Sequence, residues 1–170
     1  MIFYSLSEGE EKVANHVSLM REQNNVGIED RAITNKTSFY NRLNSYGAEI
    51  AVCKYLNRYP DMSVHLSSKH YDIILDNGTT IDVKWTYHTN GGLLVERSKK
   101  NNPCDIYVLT IGKIPNYSLV GWAYEDEIFK EENIKKLVEH REAPYFLERR
   151  AIHKFIPPDI KDKWEKGIRI

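Results

Sequence analysis

The chain has 170 residues, and its 24 lysines and arginines are balanced by 24 aspartates and glutamates. That neutrality gives no general attraction for a polyanion, although a local basic patch can still grip a phosphate backbone. Two cysteines, Cys53 and Cys104, make no disulfide framework and point to a reducing cytoplasm. No apolar run approaches the roughly 20 residues that cross a bilayer, and MIFYSLSEGEE lacks the basic-then-apolar pattern of a signal peptide. One domain is expected from the length, with a core over about 38–140, an N-terminal helical segment at 1–37 and a C-terminal extension at 141–170.

In chain order, Ser7 with Glu10 predicts a capping box. The helix it opens runs through about Arg21, with Val13, His16, Val17 and Met20 on one side, and QNNVG (23–27) stops it. Residues 28–36 suit either a loop or a short helix, with Arg31 and Lys36 solvated. A second helix from Ser38 to Arg58 ends before Pro60. Phe39, Leu43, Tyr46, Ile50, Cys53 and Leu56 share its apolar face, and Gly47 and Ala48 allow close approach to a sheet. Glu49 projects into the middle of that face. An unpaired buried carboxylate costs several kcal/mol, so Glu49 calls for a core arginine or lysine, a hydrogen-bond network or a metal.

Val64–Leu66 suits a short strand or a lead-in to the next element. Residues 71–85, YDIILDNGTTIDVKW, then predict a hairpin turning at Asp76-Asn77-Gly78. Alternation puts Ile81, Val83 and Trp85 on one face of the second strand and Asp82 and Lys84 on the other. Asp72 breaks the apolar run of the first strand. Leu93–Glu96 is a third strand candidate, followed by the basic run Arg97, Lys99 and Lys100. DIYVLTI (105–111) predicts a strand buried on both faces, and SLVGWAY (118–124) another, with Gly121 marking a bulge. A helix is expected from Glu125 through Ile128, Phe129, Ile134, Leu137 and Val138. Residues 145–155 fit no single element, but Arg149 and Arg150 make a second basic cluster with His153 and Lys154. A short helix is expected after Pro157 and Pro158, ending near Gly167. The order of elements predicts an α/β (α+β) fold, a mixed central sheet flanked by helices.

Two neighbouring carboxylates suit a hard divalent cation such as Mg²⁺. Such an ion polarises a phosphoryl oxygen and acidifies a bound water. An ammonium on the same strand face, Lys84, suits orienting that water or stabilising charge in the transition state. Other chemistries lack their motifs. There is no phosphate loop of the Gly-Lys-Ser/Thr type, no Gly-x-Ser-x-Gly elbow and no zinc spacing among the histidines and cysteines. His65, His70 and His88 near the hairpin are read as surface or hydrogen-bonded side chains, and Trp85 as packing.

A helical glutamate, then Asp72, then Asp82-Val83-Lys84, then apolar strands, resembles the PD-(D/E)XK nuclease superfamily over about Gly47 to Tyr124. The D-x-K tripeptide alone recurs in many proteins. Its place at the end of a hairpin, after GAEIAVCKYL and YDIIL, makes the combination more specific. LVGWAYEDEI is similar to the strand-to-helix segment of some small phage and bacterial members. The chain departs from the pattern in carrying Tyr71-Asp72 where Pro-Asp leads the motif. The resemblance implies Glu49, Asp72 and Asp82 around Mg²⁺ (or Mn²⁺), the Val83 carbonyl as a further ligand, and Lys84 as the catalytic lysine. It implies a restriction-endonuclease-like sheet and a Mg²⁺-dependent DNA endonuclease, structure-specific in the manner of a resolvase or repair enzyme. Arg97, Lys99, Lys100, Arg149 and Arg150 are the candidate nucleic-acid contacts. The expected setting is the cytoplasm of a bacterial or phage-infected cell. The alternatives are a non-catalytic nucleic-acid- or protein-binding module on the same scaffold, or a small restriction endonuclease that would need to form a homodimer.

Overall fold

The computed structural model describes residues 1–24, 36–64, 70–137, 142–155, 163–164 and 166. The capping box forms at the start of α1 (Glu8–Asn24). Ser7 N–H donates to Glu10 Oε2 at 2.6 Å, and Glu10 N–H donates to Ser7 Oγ at 3.3 Å. The buried stripe of α1 is Ala14, Val17 and Ser18, so His16, expected on the packed side, is exposed. Ahead of α1, Ile2–Ser5 forms a strand, β1, that the sequence did not suggest.

Helix α2 (Lys36–Leu56) buries Leu43, Tyr46, Ile50, Cys53 and Leu56, the face expected from its periodicity. It stops in a Schellman motif two residues earlier than expected. Asn57 takes a left-handed φ of 54°, Asn57 N–H donates to Lys54 O at 3.2 Å, and Arg58 N–H donates to Cys53 O at 2.8 Å. Gly47 lies so close to the Tyr117 phenol that a Cβ would collide with it. The helix therefore seats directly on the sheet, as the small residues predicted.

The sheet is mixed and six-stranded. It contains β2 (Ile73–Ile74), β3 (Thr80–Thr86), β5 (Ile106–Lys113), β6 (Asn116–Tyr124) and β8 (His153–Lys154), with β1. The path is β1-β6-β5-β3-β2, and β8 also pairs with β6. Among the described strands only β3 and β5 run parallel, with Asp82 opposite Tyr107 and Lys84 opposite Leu109. The crossover between them carries β4 (Leu93–Val95), which pairs antiparallel with β7 (Tyr145–Leu147). Leu93–Glu96 thus forms a strand one residue shorter than expected, in a separate two-stranded sheet.

Strand β5 divides two cores. Ile106 and Val108 pack with α1 and α2, while Tyr107, Leu109 and Ile111 pack with β4 and β7. Opposite it, the register of β6 slips between Leu109 and Thr110, so Val120 is an extra residue. The bulge exchanges the faces. Tyr117 and Leu119 point into the first core, and after Val120 it is even-numbered Trp122 that does so. The irregularity falls beside Gly121, as the sequence predicted. A Cβ on Gly121 would press on the His153 carbonyl and Ile152.

The helix expected from Glu125 is a single turn, α3 (Glu125–Ile128). Asn133 Nδ2 donates to the Glu127 and Ile128 carbonyls at 2.8 and 3.0 Å. Acceptors that would have propagated the helix are thereby taken. A 3₁₀ turn at Glu131–Asn133 and a bridge from Ile134 to Tyr145 follow. Residues 145–155 resolve into β7, a 3₁₀ turn at Arg149–Ala151 and β8. Val64 is irregular. The rest of that strand candidate, residues 25–35, Val138 and most of the terminal helix lie outside the described residues. The fold is mixed α+β, its sheet flanked by helices. Among the described residues no helix is long and apolar enough to cross a membrane.

Candidate functional site

The site lies just ahead of β2, at the end of the hairpin away from its turn. Gly78, with φ of +88°, allows the hairpin turn, and Asn77 Oδ1 accepts Thr79 N–H at 3.0 Å. The hairpin is thereby fixed in register, and Asp72 N–H makes the last backbone rung to Ile81 O at 2.9 Å. The next donor along β3, Val83 N–H, is met by the Asp72 side chain at 2.7 Å. Ile81 presents its carbonyl to the β2 side, and backbone direction alternates along a strand. Val83 therefore presents its carbonyl on the same side as Asp72.

Asp82 and Lys84 point to the opposite face from Ile81 and Val83, as predicted. The Asp82 side chain is only 3% exposed, and both its oxygens meet an ammonium group. Lys84 Nζ is 2.7 Å from Oδ1 and Lys99 Nζ is 2.8 Å from Oδ2. Lys99 arrives from the 3₁₀ turn Arg97–Asn101 and also donates to the His70 carbonyl at 2.9 Å. Burial pulls the Lys99 ammonium pKa down, and the Asp82 carboxylate more than reverses this, leaving it raised.

Glu49 approaches from α2 on the other face. Its side chain is 14% exposed, and Arg21 of α1 lies 3.8 Å away. Arg21 is itself held by the Asp61 and Ser63 carbonyls, both at 3.0 Å, and sits 4.7 Å over the Tyr46 ring. Glu49 therefore has the core arginine that was one of its expected partners. Burial still raises its pKa well above the ordinary carboxylate range, with Asp72 adding to the rise and Arg21 opposing it. Asp72 is pushed up to about 6 by burial and by Asp82, against the Val83 hydrogen bond and the two lysines. The three carboxylates thus feel one another around the sheet edge. Asp72 lies level with the β3 backbone, between Glu49 on the α2 side and Asp82 on the other.

Both cysteines border this cluster. Burial pushes the Cys53 and Cys104 thiols up to about 12, helped by Glu49 at Cys53 and by Asp82 at Cys104. Neither is a thiolate nucleophile at neutral pH.

The donors are oxygens, the chemistry that a hard divalent ion prefers, and an added cation would relieve two carboxylates held above their ordinary pKa. Among the described residues no three histidine, cysteine, aspartate or glutamate side chains are grouped to hold an ion. Asp82 is instead occupied by the two lysines.

The five candidate nucleic-acid contacts do not form one surface. Strands β4 and β7 are antiparallel, so the turns that follow them sit at opposite ends of the small sheet. At one end Arg97 lies 3.8 Å from Glu142 and Lys100 3.7 Å from Glu131. At the other Arg149 donates to the Gly91 carbonyl at 3.1 Å, and Arg150, 86% exposed, pairs with Glu148. Lys99 leaves this group for the carboxylates. Between the two sheets a cleft of about 420 Å³ opens beside Lys84, lined by Trp85, His88, Leu94, Glu96 and Phe146 among others. Trp85 packs partly against the first core and donates its indole N–H to Gly112 O at 2.8 Å. His70 offers its backbone carbonyl to the site, and His65 lies outside the described residues.

Comparison with known proteins gives no match to a family model, a curated protein or a solved structure. The sequence reasoning does not find Arg21, and it offers Lys99 only as a nucleic-acid contact. Arg21 shows only as a basic residue in the last turn of α1, where the helix dipole already accounts for it. Lys99 was grouped with its exposed neighbours, and nothing in its local sequence marks it as the one turned inward.

Proposed function

We propose that the chain is a metal-dependent nuclease of the PD-(D/E)XK kind, a Mg²⁺-dependent DNA endonuclease of the resolvase or repair type acting in a bacterial or phage-infected cytoplasm. The observation that carries this reading is the meeting of Asp72, Asp82 and Lys84 beside the first residue of β2, with Glu49 close enough to feel both aspartates. Asp72, Asp82 and the Val83 carbonyl would hold Mg²⁺ or Mn²⁺, with Glu49 as a further ligand or as acceptor for a bound water. When bound, the ion supplies polarisation of the phosphoryl oxygen and a more acidic water. Lys84 would orient the attacking water or offset charge as the phosphorus takes on a fifth oxygen. The adjoining cleft gives the substrate a route to Lys84.

One observation favours a second reading. With both oxygens on lysines, Asp82 resembles a structural ion-pair cluster, which suits a binding module without a metal. The Asp82→Ala variant separates the two. The nuclease reading predicts that it loses Mg²⁺-dependent cleavage of plasmid DNA, by at least about 100-fold, while keeping the wild-type circular dichroism spectrum. Unchanged cleavage would defeat the assignment.

A further inference from the structure

Glu49, Asp72 and Asp82 face three cations, Arg21, Lys84 and Lys99, so the buried cluster already approaches charge neutrality. A divalent ion entering it would meet ammonium groups at the very oxygens it needs. Asp82 Oδ2 is buried, and the cation it meets is Lys99 Nζ at 2.8 Å.

We propose that Lys99 is a built-in placeholder cation, holding the position on Asp82 Oδ2 that a divalent ion takes when the site loads. This rests on the metal-dependent reading of the same site. Lys99 is better suited to withdraw than Lys84. It stands on a single 3₁₀ turn outside both sheets, between Arg97 at 40% and Lys100 at 50% side-chain exposure, and besides meeting Asp82 it donates to the His70 carbonyl. A flexible four-carbon stem lets its ammonium move to solvent without unpairing a strand. Lys84 stands within β3, fixed by pairing to β5. The apparent affinity for the ion is then the intrinsic affinity reduced by the fraction of molecules in which Lys99 has withdrawn.

The test is isothermal titration calorimetry of Mn²⁺ and Mg²⁺ into the wild type, Lys99→Gln and Lys99→Arg, without DNA. The proposal predicts that Lys99→Gln binds Mn²⁺ about tenfold tighter or better, because the competitor is gone. Lys99→Arg, which keeps a cation, stays close to the wild type. Lys99→Met, which keeps the apolar stem, replaces Lys99→Gln should that variant not fold. Ion binding by the wild type with equal or weaker binding by the uncharged variants would overturn the placeholder role and leave the nuclease reading standing. No ion binding by any of the proteins would overturn both.

Discussion

Asp72 does two things at once. Its carboxylate completes the β2–β3 ladder by accepting Val83 N–H, and burial, with Asp82 adding to it, pushes its pKa up to about 6. The folded protein therefore holds a proton on Asp72 at a pH where the unfolded chain, with an ordinary value near 3.9, has released it. The stability tied to that proton is full below about pH 4 and is lost as pH rises through about 6. Asp72→Asn keeps an oxygen for Val83 N–H and removes the charge. Without metal, the variant should gain on the wild type between pH 4 and 7, with about 3 kcal/mol of that gain coming from Asp72 itself. Urea unfolding of both proteins across that range measures the difference. Parallel pH profiles would show that Asp72 carries no burden of charge. Asp72 is also among the groups that raise Glu49, so its neutralisation relaxes Glu49 and adds to the gain in the same direction.

Elements legible in the sequence are those with a local period. Helix α2 has apolar residues at a helical spacing from Leu43 to Leu56, β5 is an almost wholly apolar run, and the hairpin carries its own turn chemistry. Strands β1, β7 and β8 have two to four residues each. They are strands because of what lies beside them, and such short runs carry too little alternation to reveal it. The length of α3 is settled by Asn133, a hydrogen bond across several residues that periodicity does not encode. The candidate site divides in the same way. Asp72, Asp82 and Lys84 sit on the legible hairpin, whereas Lys99 and Arg21 reach it only through the tertiary fold. At this scale the tightest constraint is Gly47 against Tyr117. Gly47→Ala should raise helix propensity yet destabilise the protein by about 1–3 kcal/mol, since the phenol is boxed in by the sheet. A lowered thermal midpoint would agree with that account, and an unchanged or higher one would show that Tyr117 can move aside.

For the molecule as a whole, the sheet with its two cores is the frame, and the site lies at the edge that β2 leaves open. Among the described residues, the basic turns are separated, at opposite ends of the small sheet. Under the nuclease reading, a nucleic acid would be held close to the site, along the cleft beside Lys84, rather than across an extended surface. Binding of that sort favours a substrate recognised by shape over one read by sequence. The most direct measurement is a cleavage panel of branched, single-stranded and duplex DNA in Mg²⁺ or Mn²⁺, run with the wild type and a folded Lys84→Ala variant. The account predicts metal-dependent cleavage of at least one form by the wild type and none by the variant. Equal cleavage by both proteins, or none by the wild type on any form, would contradict it.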